Sequence, residues 1–201
     1  MQTLLDLLKT FKDSNNQIFI YRTGIRRFTF TYRQIYTLSL KMASFLEEKN
    51  IGKGDRVALW AGNSPWWVVS FFSIIARGGV IVPIDFISGK ERAETITKLS
   101  GAKLIIQSNY KLEKITNIDS VTIEDLQFLL EKLKPVLRFP VLEPKDIAEL
   151  VYTSGTTGDP KGVILTHKNI TTNIIQAYKH IVIKSSFTFL SLLPLSHMFE
   201  Q

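Results

Sequence analysis

Positions 152–162 read Tyr-Thr-Ser-Gly-Thr-Thr-Gly-Asp-Pro-Lys-Gly. Thr153, Ser154, Thr156 and Thr157 bring hydroxyls, and Gly155, Gly158 and Gly162 let the backbone turn so that successive N–H groups can point at one anion. Lys161 adds a positive charge, and hydroxyls with backbone amides supply oriented donors to phosphate oxygens. An uncharged sugar would gain little from this combination; a polyphosphate would gain a great deal. The segment is not a Walker loop, because Asp159 and Pro160 precede Lys161 and Gly162 follows it, where that pattern needs Gly-Lys-Ser/Thr. The plain alternative is a Gly/Thr-rich surface turn.

The other residues suited to chemistry are three histidines. Taken alone, His197 reads as a buried histidine satisfied by a carbonyl. His167 falls in the first turn of an expected helix and His180 on its face. The chain has no cysteine, which excludes disulfides, thiolate zinc sites and a cysteine nucleophile, and suits a reducing, cytoplasmic setting. Net charge is +7, concentrated in the first hundred residues but scattered singly or in pairs such as Arg26 and Arg27. With no basic cluster interleaved with aromatics, a solvated face is the better reading, and no nucleic-acid partner is expected.

These residues need a scaffold, and the apolar pattern describes one. Leu4, Leu5, Leu7, Leu8 and Phe11 make a short amphipathic helix rather than a secretory signal. A hairpin is expected at 17–30, then a capping box at Thr31 and Gln34 opening a helix with Ile35, Leu38, Met42, Phe45 and Leu46 inward. Buried strands are expected at 56–62, 80–85 and 103–108. Between them, one helix is capped by Ser64 with Pro65 at its first position. A second is opened by Ser88 and Glu91, carries Ala93, Ile96 and Leu99, and stops at Gly101. The apolar run at 66–76 is much shorter than the ~20 residues of a membrane span, so it reads as a buried helix. Residues 109–146 are less regular, with a helix at 123–133, and read as a connection between lobes. A strand at 147–152 leads into the loop, Thr166 caps a helix to about Lys184, and 187–193 is a final strand. Strands alternating with amphipathic helices give an α/β fold of mostly parallel sheets flanked by helices. The expected organisation is an N-terminal lobe with its connection at 1–146 and the start of a second lobe at 147–201.

YTSGTTGDPKGV at 152–163 resembles the phosphate-binding signature of the AMP-forming adenylate-forming enzymes. LPLSHMFEQ at 193–201 resembles a second motif, in the form found in medium- and long-chain fatty acyl-CoA synthetases. The stretch 60–85 is similar to the N-terminal lobe of that family. The resemblance implies that Thr153, Ser154, Gly155, Thr156, Thr157, Gly158 and Lys161 contact ATP phosphates, that the Thr153 hydroxyl reaches Mg²⁺, and that His197 lies at the acyl-carboxylate site. It implies a fatty acid, ATP and coenzyme A as substrates: the acid forms an acyl-adenylate with loss of pyrophosphate, then a thioester with CoA.

Relatives in this family are more than twice as long, so the resemblance also implies an N-terminal fragment, inactive alone, with no catalytic residue of its own. Surface uncovered by the missing part is expected to favour self-association. Peripheral membrane contact would suit an insoluble acid, although no anchor is present in the sequence. The competing readings are an aryl- or amino-acid-activating enzyme and a non-catalytic nucleotide-binding module.

Overall fold

The computed structural model describes residues 1–154, 160–180, 184 and 186–197. The chain opens with helix α1 (Leu4–Thr10), whose N-terminus is closed by a capping box between Thr3 and Asp6. Strands β1 (Gln17–Thr23) and β2 (Arg26–Thr31) form the expected hairpin as a separate two-stranded sheet. Thr31 and Gln34 cap each other's backbone at the start of α2 (Tyr32–Glu48). Two free N–H groups are thereby satisfied at the helix entry.

The main sheet has six strands in the order β6-β5-β3-β4-β7-β8. Strands β3 (Arg56–Trp60), β4 (Val80–Ile84), β5 (Leu104–Gln107) and β6 (Asp119–Thr122) are parallel, and β7 (Ile147–Ser154) continues parallel beside β4. Only β8 (Pro160–Thr166), paired to β7, runs antiparallel. Side chains alternate across the strands. Val57, Leu59 and Ile81 enter a core with α1, α2 and α3 (Pro65–Ala76), while Ala58, Trp60, Val82 and Ile84 enter a second with α4 (Lys90–Ser100). The sheet is therefore covered on both faces, which explains the unbroken apolar runs at β3 and β4. Ser64 caps α3 with Pro65 in its first turn, and Gly101 ends α4 in the left-handed conformation at φ 63°.

Five local expectations differ from the structure. Helix α4 starts one residue after Gly89, with no side-chain cap: Ser88 N–H donates to the Asp85 carbonyl at 3.0 Å and so belongs to the turn leaving β4. Leu99 is exposed, because the inward stripe of α4 is Ala93, Ile96, Thr97 and Ser100. The region 109–146 contains a parallel strand, β6, which its sequence DSVT concealed for want of apolar residues. The helix expected at 123–133 is one α-turn, α5 (Leu126–Leu129), between two 3₁₀ turns. Residues 187–193 form no strand; they are exposed, and no described strand lies beside them to complete a ladder. Strands β7 and β8 form the edge of the one main sheet, and Thr166 closes the entry of α6 (His167–His180) by accepting from Asn169 N–H at 3.2 Å. The part of that expected helix at 181–183 lies outside the described residues.

Ile74 is fully buried on α3 in the larger core. Ile74→Ala should lower unfolding free energy by about 2–5 kcal/mol, through lost burial and a residual cavity. A urea denaturation series measures it as a reduced midpoint at unchanged slope.

Candidate functional site at the carboxyl edge of the sheet

From β3 the chain passes through α3 to β4 on one side, then through α4 to β5 on the other side of β3. The strand order thus reverses between β3 and β4, and α3 and α4 pack on opposite faces. Open α/β sheets bind ligands in the crevice beyond the carboxyl ends of their strands at such a point. Asn63 follows β3 there, and Asp85 follows β4. A cavity of about 510 Å³ lies at this edge, with Gly62, Asn63, Phe86 and Ser108 in its wall beside Phe28 of the hairpin. A second cavity of about 530 Å³ lies at the opposite end, lined by Lys53, Gly54, Arg56 and Asp146.

The β7–β8 hairpin brings the polar loop to the same edge. Thr153 pairs with Lys161, and Ser154 with Pro160. Directly opposed residues of antiparallel strands share a face, with Cβ atoms about 4.5–5.5 Å apart. Thr153 and Lys161, both exposed, therefore project side by side at the mouth of the loop. Gly162 faces Tyr152, and a Cβ on it would sit 3.2 Å from Leu150 Cδ1 and 3.4 Å from the Tyr152 ring. Those side chains press onto the strand behind Lys161. Gly155, Thr156, Thr157 and Gly158 lie outside the described residues. Counting along the parallel register from Ile81 and Glu149 brings Asp85 level with Thr153.

His197 is not buried: its side chain is 58% exposed, and Nε2 lies 3.3 Å from Asp85 Oδ2. The reading of His197 as a buried, carbonyl-bound histidine is thereby corrected. Sequence reasoning missed Asp85 and Asn63. The signal for both was a polar residue just past the end of a buried parallel strand. Among the described residues no group of three or more His, Asp or Glu side chains could hold a metal ion. Thr153 therefore offers a single neutral oxygen.

The buried histidine of this chain is His167, only 1% exposed. Its Nδ1 accepts the Leu4 N–H at 3.3 Å, joining α6 to the start of α1. Burial lowers its pKa, opposed by Asp146 and Asp6 and assisted by Lys53.

A doubly wound sheet with its polar residues at the carboxyl edge places the chain among α/β ligand-binding domains. The profile of the AMP-binding enzyme family matches residues 10–201, and the chain belongs to that family. It is 33% identical over 190 residues to 4-coumarate–CoA ligase 1 of Petroselinum crispum, covering 86% of this chain and 35% of the relative. It is 28% identical to a long-chain-fatty-acid–CoA ligase of Bacillus subtilis, covering 84% and 38%. The chain thus spans little more than a third of the length of these curated relatives. In fold it is similar to the fatty acyl-adenylate ligase of L. pneumophila, solved with acyl adenylate and pyrophosphate, with TM-score 0.75 at 23% identity over 89% of this chain and 33% of that one. The relatives include ligases for an aromatic acid and for long-chain fatty acids. Among the described residues no helix is long and apolar enough to cross a membrane.

Because the folded state holds His167 neutral, the unfolded chain takes up its proton first as pH falls. This histidine's contribution is complete above about pH 6.5, the ordinary histidine value, and is lost progressively below it. Wild-type urea midpoints should fall between about pH 7 and pH 5, and a His167→Gln variant should fall less steeply over that interval. Asp6 and Asp146, whose pKa values are lowered, act only at more acidic pH.

Proposed function

We propose that this chain is the N-terminal part of an ATP-dependent, AMP-forming acid–thiol ligase whose acid is a fatty acid. The observation that carries this reading is the hairpin that sets Thr153 and Lys161 side by side at the mouth of a Gly/Thr-rich loop, on the carboxyl edge of the sheet. In this reading Ser154, Gly155, Thr156, Thr157 and Gly158 cradle the ATP phosphates, and the Lys161 ammonium neutralises charge on the departing pyrophosphate. The Thr153 hydroxyl would offer one hard oxygen donor to Mg²⁺. Bound there, the ion would supply Lewis-acid stabilisation of phosphate charge.

In the reaction, a carboxylate oxygen of the acid attacks the α-phosphorus of ATP as the bond to pyrophosphate breaks. The CoA thiol then displaces AMP from the acyl carbon, losing its proton. In this reading His197 serves the acid's carboxylate. Exposed Phe189 and Leu190 beyond α6 support a further protein contact, including self-association.

The PLSH segment supports a fatty acid. The 33% identity to 4-coumarate–CoA ligase favours a second reading, an aryl acid. Lys161→Ala should weaken MgATP binding roughly tenfold, or ~1.4 kcal/mol, by titration calorimetry. An unchanged affinity would remove Lys161 from the phosphate site. In the full-length protein, pyrophosphate exchange into ATP should depend on a long-chain fatty acid more strongly than on a cinnamic acid. The reverse preference would establish the aryl reading.

A further inference from the structure

Residues 187–197 belong to no strand or helix, yet two side chains from the carboxyl edge hold them in place. Asn63 makes three bonds to them. Its Nδ2 donates to Ser191 Oγ at 3.1 Å and to the Leu193 carbonyl at 2.6 Å, and its Oδ1 accepts the Leu195 N–H at 2.8 Å. One amide side chain thus satisfies the backbone on both sides of Pro194, which has no N–H of its own. His197 N–H then closes a turn onto the Pro194 carbonyl at 2.9 Å. The backbone bearing the imidazole is fixed relative to the end of β3.

The ring is fixed relative to β4. Asp85 Oδ1 accepts the Ile87 N–H at 3.1 Å, which orients the carboxylate within its own turn, and Oδ2 lies 3.3 Å from His197 Nε2. A carboxylate only accepts, so this contact requires the proton on Nε2, and in the imidazolium form Nδ1 is a second donor. Asp85 is 24% exposed and His197 58%. An ion pair this open stabilises a fold little, so holding the ring is the more consequential effect of the contact.

We propose that Asp85 and Asn63 are positioning residues for His197. Asp85 sets its ring orientation and Asn63 its backbone, so that the imidazolium, with Nε2–H on Asp85, donates Nδ1–H to the carboxylate of the acid substrate. The inference rests on the reading of His197 as part of the acid site. It adds the two neighbours through which the parallel sheet would control that histidine. The strand-order reversal supplies the reason both are available, since it leaves the ends of β3 and β4 open side by side.

The test uses the full-length protein and acid-dependent pyrophosphate exchange. Asp85→Ala and Asn63→Ala should each lower kcat/KM for the acid by roughly tenfold to a hundredfold, the scale of a misplaced reacting group. The KM for ATP should stay within about twofold, a selectivity that general loosening of the fold would not show. Asp85→Asn, which keeps an acceptor oxygen, should recover most of the loss. In a His197→Ala background, Asp85→Ala should cost little more, because residues acting through one another are non-additive. Equal losses for Asp85→Asn and Asp85→Ala, or additive losses in the double variant, would overturn the proposal. So would a crystal structure of the full-length protein with His197 out of hydrogen-bond reach of Asp85. If that structure retains the contact while no acid supports exchange, the placement stands and the ligase reading fails.

Discussion

Between Val57 and Trp60, and again between Val80 and Ile84, every side chain is buried, with helices on both faces of the sheet. A strand in this position has nowhere along its length to carry a solvated polar group, because each face is apolar and each edge is hydrogen-bonded to a neighbour. Polar chemistry is forced to the strand ends. At the carboxyl ends the chain leaves the sheet as Gly62-Asn63-Ser64 and as Asp85-Phe86, and these are the first residues free to meet a ligand. The site therefore follows from how the core is closed.

The same constraint governs the polar loop. Strand β7 runs parallel beside β4, paired through Glu149 and Ile81, and carries Thr153 toward its carboxyl end. Turning back antiparallel, β8 sets Lys161 opposite Thr153. Two-stranded register thus places a hydroxyl and an ammonium together, and parallel register places that pair beside the end of β4. A hydroxyl–lysine loop on an isolated hairpin would have the same local geometry but no neighbouring Asp85 or Asn63.

The ends of the chain are tied back onto the same framework by different means. Helix α1 packs in the larger core and is bonded through Leu4 to buried His167 at the start of α6. Residues 191–197 contribute little to that core and are held by side-chain hydrogen bonds from Asn63 and Asp85. The first attachment is a matter of stability and the second of orientation. The two histidines accordingly behave in opposite ways: one is enclosed with its Nδ1 occupied, the other open with its Nε2 against a carboxylate.

Local chemistry written in consecutive residues was legible without a structure. The capping box at Thr31 and Gln34, Ser64 with Pro65, Gly101 as a left-handed stop, the apolar runs of β3 and β4, and the Gly/Thr/Lys loop each depend on neighbours a few positions apart. Those same residues carried the family resemblance. Strand β6 was illegible because DSVT earns its place by pairing with β5 and not by its own apolarity, and residues 187–193 have strand-like composition but pair with no described strand. Leu99 followed the helical period yet rotated out of the interface that α4 makes. Asp85 and Asn63, separated by 22 positions from each other and by more than a hundred from His197, could be joined to it only by the strand order. The sequence by itself determined the phosphate-type loop and the elements on either side of it. The tertiary structure decided which distant polar residues share an edge with His197, because that depends on where the winding of the sheet reverses.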